Sequence, residues 1–140
     1  MLEQSKIVKI LDFDTEKYFK IIPIDFDDFW GAFDLFINGI QSFFISKDGM
    51  KFKSMDYLPI LLKCVLPMDT NGKEVVWQMG KPFTYNDAKG MFENPAALLE
   101  LAYEVAKFQH IFFKQYPRYL NLMNTLQENF NTLNLGLEKN

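Results

Sequence analysis

The sequence predicts an α+β fold, in which an N-terminal β-hairpin leads into a mainly α-helical body of four to five helices. Two apolar runs typical of strands lie within residues 6–24, separated by a polar turn. From residue 25 onward, apolar side chains recur at spacings of three and four, as they do in helices. The 140 residues fit one domain, which we expect to span residues 1–133, with a flexible tail over residues 134–140.

The hairpin is predicted between about residue 6 and about residue 24. Its strands carry Ile7, Val8, Ile10 and Leu11, and then Tyr18, Phe19, Ile21 and Ile22. The segment Asp14-Thr15-Glu16 between them is polar, and we interpret it as the turn. Pro23 follows the second run and marks its end, because proline cannot donate a backbone hydrogen bond.

The helical body is predicted over residues 25–133, and its first two helices have recognisable starts. Asp25 occupies an N-cap position, and the apolar face behind it runs from Phe26 to Ile40. A second helix is expected to begin at Ser54 and to run through Val65.

The later helices are marked by stronger capping signals. Thr84 and Asp87 have the spacing of a capping box, which predicts a short helix beginning at Tyr85. Asn94 followed by Pro95 is the preferred start of a helix, and a long apolar pattern follows it. A last helix is expected over residues 118–133.

Composition excludes several classes of function. With 15 basic and 18 acidic side chains the net charge is −3, so we expect no nucleic-acid partner. No apolar run approaches the length of a membrane span and residues 1–9 do not resemble a signal peptide, so no membrane partner and a cytoplasmic location are expected. The single cysteine, Cys64, has apolar neighbours and is interpreted as a core residue.

Candidate catalytic groups are few. His110 is the only histidine, and its place on an apolar helical stripe favours a packed side chain over a general base or a metal ligand. Glu100 and Glu104 lie one helical turn apart, which fits a solvated helix face better than a carboxylate pair. We therefore predict a protein that is not an enzyme, with no catalytic residues, no metal and no cofactor.

Aromatic side chains are the feature left for function. They make up 16% of the chain, and large rings either cover a core or contact a partner. Several lie in segments of weak periodicity: Phe43, Phe44, Phe52, Trp77, Phe83 and Tyr85. The predicted partner contacts are Trp30, Phe33, Phe112, Phe113 and Tyr116, each of which fits a place in the core equally well.

Two segments carry a family resemblance. Residues 18–24, Tyr-Phe-Lys-Ile-Ile-Pro-Ile, together with the helix Ala97-Leu-Leu-Glu-Leu-Ala-Tyr-Glu-Val105 that runs into Ile111-Phe-Phe113, resemble the small tail-assembly chaperones of bacteriophages. The likeness covers about half of the chain and implies a non-enzymatic protein that binds apolar helices of the tape-measure protein and transfers it to the tail-tube protein. It also implies the cytoplasm of the host cell as the location.

Two alternatives stay open beside this interpretation, and so does self-association into a homo-oligomer. The chain could be a structural subunit that remains in a finished tail or baseplate. It could instead have a small metal-dependent or ligand-dependent activity based on His110 with Glu104 or Glu100.

Overall fold

The computed structural model describes residues 4–32 and 54–138 of the chain. Its strands are β1 (Lys6–Asp12), β2 (Thr15–Ile21) and β3 (Val65–Pro67). Its helices are α1 (Phe26–Gly31), α2 (Ser54–Leu62), α3 (Tyr85–Met91), α4 (Pro95–Lys114) and α5 (Pro117–Glu138). The predicted α+β class is confirmed, with an antiparallel sheet in the order β1-β2-β3 followed by helices in the described ranges.

The predicted hairpin is confirmed, but its turn lies one residue earlier than expected. Asp12 pairs with Thr15, so the loop consists of Phe13 and Asp14 alone, and Thr15 and Glu16 belong to β2. The polar composition of residues 14–16 indicated a turn, whereas the pairing register begins the second strand at Thr15. Alternate side chains of both strands face the core.

Strand β3 was not predicted. Residues 61–66 are apolar except for Lys63, and such a short run does not distinguish the end of a buried helix from a short buried strand. The helix expected to reach Val65 stops at Leu62, and Val65 pairs with Ile21 of β2. The backbone N–H of Ile22 donates to the carbonyl of Cys64 at 2.9 Å, which extends this pairing by one bond.

The capping signals of α3 and α4 are confirmed. Thr84 and Asp87 form the complete capping box, with the Asp87 backbone N–H donating to Thr84 Oγ1 at 3.2 Å and the Thr84 N–H donating to Asp87 Oδ2 at 3.0 Å. Asn94 Oδ1 accepts from the Ala96 N–H at 3.0 Å, and Pro95 begins the helix. These local contacts fix where both helices start.

The other helix boundaries depart from the sequence pattern. Helix α1 ends at Gly31, and residues 33–40 of the helix predicted there lie outside the described residues. Pro117 begins α5, which continues through Glu138 and so passes the predicted end at Leu133. Glycine is a poor helix former, which fits an end at Gly31, but Gly136 does not stop α5.

The core lies between the inner face of the sheet and helices α2, α3 and α4. Its most completely buried side chains are Phe19, Phe83, Ile10, Ile21, Leu61, Leu62, Leu101, Val65 and Val105. Cys64 belongs to this core as predicted, and burial raises the pKa of its thiol to about 12. The thiol is therefore uncharged at neutral pH and acts as a small apolar group.

A buried carboxylate joins the hairpin to the start of α4. Asp12, at the end of β1, has a side chain only 2% exposed and accepts a 2.7 Å hydrogen bond from Lys17 Nζ. It also accepts the backbone N–H groups of Glu93 at 3.0 Å and Asn94 at 2.8 Å. Lys17 in turn donates to the carbonyl of Met91. We call this set of contacts the Asp12 junction.

A buried amide joins the other end of the hairpin to the second half of α4. Gln109 is 2% exposed, and its Oε1 accepts the backbone N–H of Ile24 at 2.9 Å. Its Nε2 donates to the carbonyl of Ile22 at 2.8 Å. The side chain thus satisfies both polar groups that flank Pro23, where the chain leaves the sheet and can form no ladder hydrogen bonds.

Replacing Gln109 by leucine is expected to destabilise the fold by about 2–4 kcal/mol, because the Ile24 N–H and the Ile22 carbonyl would each lose a buried partner. Urea denaturation measures this free energy of unfolding. The matched control is Gln78→Leu at an exposed position, where a change within about 0.5 kcal/mol is expected. Equal effects at both positions would contradict the role assigned to Gln109.

The Asp12 junction makes stability depend on pH in the acid range. The hydrogen bond from Lys17, then the N–H of Glu93, lower the pKa of Asp12 below its ordinary value of 3.8. The unfolded chain therefore takes up a proton at higher pH than the folded chain, so the stabilisation is complete above 3.8 and is lost as the pH falls through the lower folded pKa.

We expect Asp12→Asn to lower the melting temperature at neutral pH and the difference from the natural chain to shrink on acidification below 3.8. Thermal denaturation followed by circular dichroism across this pH range is the measurement. Asp14→Asn, at an exposed carboxylate of the same turn, is the control. A difference that stays constant with pH would show that the Asp12 charge is not what stabilises the junction.

Candidate protein interface

Helix α1 presents large aromatic side chains to solvent. Asp25 is its N-cap, and Asp25 Oδ1 accepts the backbone N–H of Asp28 at 2.7 Å, as the sequence predicted. Phe26 is 80% exposed and Trp30 is 60% exposed, although both have the size of core residues. A six-residue helix that contributes no buried residue is unusual in a small domain, because little apolar burial offsets the free-energy cost of forming such a short helix.

Phe29 connects α1 to the rest of the protein. Its ring lies 5.6 Å from Phe113 of α4 and 5.3 Å from Trp30, measured between centroids. Phe113 is half-buried and lies 5.2 Å from Tyr119 of α5. One half-buried ring on each helix therefore brings α1, the end of α4 and the start of α5 together.

These contacts produce a continuous set of rings that we call the aromatic surface: Phe26, Phe29, Trp30, Phe113, Tyr116 and Tyr119. Tyr116 is 40% exposed and joins the set through Phe112, whose centroid is 5.8 Å from Tyr116 and 5.2 Å from Phe113. Neighbouring centroids are 5–7 Å apart throughout, within the range of favourable aromatic contacts. The surface is wide, apolar and partly open to solvent.

The predicted contact residues divide between this surface and the core. Trp30 and Tyr116 are exposed, and Phe113 is half-buried beside them. Phe112 is buried and forms part of the core beneath the surface, so it supports a partner contact rather than making one. Phe33 lies outside the described residues.

Phe26 is a member of the surface that sequence reasoning did not single out. It was assigned to the apolar face of a long helix, where it would point inward. In the structure it stands in the first turn of a short helix, in which Phe29 makes an inward ring contact with Phe113. The run of aspartates around Phe26 was the available signal, since charged neighbours on both sides are typical of a solvated segment.

The aromatic residues of the loop before α3 have a structural role instead. Phe83 is almost completely buried, and Trp77 packs edge-on against it at a centroid distance of 5.3 Å. Trp77 Nε1 donates to the carbonyl of Lys81 at 2.8 Å. Tyr85 is half-buried against the same core, so these loop residues cover the core. Phe43, Phe44 and Phe52 lie outside the described residues.

Charge around the aromatic surface is mostly acidic on the α1 side. Asp28 forms an ion pair with Lys63 of the α2–β3 connection at 3.2 Å, and Asp27 is exposed beside Phe26.

On the α5 side of the surface, burial raises the pKa of Tyr119 to about 12. The Tyr119 hydroxyl is the one buried side-chain polar atom without a hydrogen-bond partner that the described residues contain. The Tyr119 phenol therefore stays neutral to a higher pH than an exposed tyrosine does.

His110 is half-buried on α4, and burial followed by the nearby Lys114 charge lowers its pKa below the ordinary 6.5. Glu100 is exposed and Glu104 is half-buried on the same helix. Within residues 4–32 and 54–138, no three His, Cys, Asp or Glu side chains are grouped so that they could hold a metal ion. The same ranges contain no helix that is both long and apolar enough to cross a membrane.

Comparison with known proteins adds no relative: no family model, no curated protein and no solved structure matches this chain. The aromatic surface is therefore the feature on which a functional assignment can be built.

Proposed function

We propose that this chain is a non-enzymatic assembly protein that binds an apolar helix of a partner protein, and that it acts as a tail-assembly chaperone of a bacteriophage in the cytoplasm of the host cell. The tape-measure protein is the proposed partner, and the tail-tube protein is the one to which it is transferred. The single observation that carries the binding role is the exposure of Phe26 and Trp30 on the aromatic surface.

The chemistry of the surface supports a helical partner. Binding sites for amphipathic helices are apolar grooves or faces that receive side chains spaced three and four apart. The aromatic surface combines rings from three helix ends, with Phe113 at its centre and exposed rings at its margins. Tryptophan and tyrosine are enriched among the residues that contribute most to protein binding, because they bury a large area at small cost in side-chain entropy.

The partner chemistry follows from the same residues. A surface that consists mainly of aromatic rings is suited to binding apolar side chains. The resemblance implies a tape-measure protein with apolar helices. A surface on which Phe26 and Trp30 are exposed is suited to cover one face of such a helix temporarily.

Replacing Trp30 by aspartate is expected to weaken binding of the tape-measure protein by about 2 kcal/mol or more, which is roughly thirtyfold in Kd. The reason is that a charged group would take the place of an exposed ring at the contact. The measurement is co-expression with a candidate tape-measure protein, followed by calorimetric titration of a soluble helical fragment of that protein with the purified chain.

Met79→Asp is the matched control, because Met79 is 95% exposed and lies in the loop before α3, away from the aromatic surface. It should bind as the natural chain does, and circular dichroism should show both variants folded. Phe26→Asp repeats the test at a second exposed ring. If both surface variants bind as tightly as the control, the proposed site is wrong.

The presence or absence of this chain in the finished particle distinguishes a structural subunit of the tail or baseplate from a chaperone. A chaperone leaves before assembly is complete, so immunoblotting of purified particles is expected to show none of this chain. Detection at fixed stoichiometry would instead identify a structural subunit that uses the same surface permanently.

A further inference from the structure

The hairpin loop holds an exposed aromatic residue in a conformation that such residues rarely adopt. Phe13 has a φ of +52° and is 58% exposed. The favoured two-residue hairpin loops require a positive φ at their first residue, and glycine or asparagine usually supplies it. Phenylalanine adopts this conformation at a cost that its exposed ring does not recover within the described chain.

The neighbouring contacts keep Phe13 in this position. Asp12 is fixed by the Asp12 junction on one side, and Thr15 is fixed by its pairing with Asp12 on the other. The next residue, Asp14, is exposed and forms no ion pair with any described residue. The tip of the hairpin thus presents one large apolar group together with one unpaired negative charge.

A groove with the complementary character lies at the opposite end of β1. Its volume is about 90 Å³, and its lining residues are Lys6, Lys107, Phe108, Ile111, Phe112 and Gln115. The rings of Phe108 and Phe112 form an apolar floor beside Ile111, which is 51% exposed. Neither lysine forms an ion pair within the described residues, so the groove combines apolar surface with two available positive charges.

We propose that Phe13 of one copy of this chain inserts into the Lys6–Lys107 groove of a second copy, where Asp14 pairs with these lysines. The Phe13 ring matches the apolar floor of the groove, and the Asp14 carboxylate matches the charges of Lys6 and Lys107. The groove lining contains no acidic residue. The two surfaces lie at opposite ends of a seven-residue strand, about 20 Å apart, so one copy uses its loop and its groove toward different neighbours. Such a head-to-tail contact repeats and forms a ring or an open chain of copies.

The residues that test this self-association, Phe13, Asp14 and Lys107, lie outside the aromatic surface, so their variants leave its exposed rings unchanged, although Phe112 lies beneath that surface and also lines the groove. Insertion of the ring also explains why phenylalanine occupies a position with positive φ. Asparagine at position 13 suits the loop better than phenylalanine, yet it lacks the ring that fills the groove.

The test is sedimentation velocity of the full chain from micromolar to sub-millimolar concentration. The natural chain is expected to form concentration-dependent oligomers, and Phe13→Asn and Lys107→Glu are each expected to weaken association about tenfold or more. Phe13→Asn should retain the natural melting temperature, because the loop conformation favours asparagine. Lys73→Glu, at an exposed lysine remote from the groove, is the matched control and should associate normally.

Mixing the two variants gives the decisive result. Phe13→Asn keeps an intact groove and Lys107→Glu keeps an intact loop, so the mixture is expected to form a one-to-one dimer that cannot extend further. The double variant Asp14→Lys with Lys107→Glu exchanges the two charges and should recover association. A natural chain that stays monomeric at every concentration, a mixture that forms no dimer, or a Phe13→Asn variant that associates normally would each overturn the proposal.

Discussion

The attachment of α4 to the hairpin at two points is the constraint on which the rest of the structure depends. The Asp12 junction holds the start of the helix, and the Gln109 amide holds its second half. From Asn94 to Gln109 the helix rises about 22 Å, and the strands that it spans are about 20 Å long. The helix therefore lies along the whole length of the hairpin. The Asp12 carboxylate and the Gln109 amide both bind backbone groups that have no partner in the sheet.

This attachment determines where the last turns of α4 lie. Beyond Gln109 the helix carries Phe112 into the core and Phe113 toward α1, and Tyr116 follows at the connection to α5. The chain segment that Gln109 binds, residues 22–24, leads directly into α1. A single side chain therefore fixes both the helix that bears Phe113 and the segment that positions Phe29 against it. The aromatic surface is in this way a consequence of how the hairpin and α4 are joined.

The sequence was informative wherever a local interaction decides the structure. The capping box at Thr84, the Asn94-Pro95 start of α4 and the Asp25 cap all involve residues within three or four positions of each other, and each could be predicted. Strand β3 could not, because its pairing partner Ile21 is distant in the chain and its apolar run is compatible with helix or strand. The exposure of Phe26 was missed for the same reason, since helical periodicity indicates a face but not what that face contacts.

The candidate binding residues show even more clearly that sequence alone does not determine what a helix face contacts. Phe112 and Phe113 are adjacent in sequence and equally apolar, yet Phe112 is buried and Phe113 is half-buried within the aromatic surface. Adjacent positions on a helix are about 100° apart, so the difference depends on the direction from which the sheet and α1 approach α4. Sequence shows that 16% of the residues are aromatic, and only the tertiary arrangement assigns Phe26 and Trp30 to solvent. Because Phe29 between them contacts Phe113, one turn of α1 both attaches the helix and presents two exposed rings, so the proposed partner contact requires no unfolding of this segment.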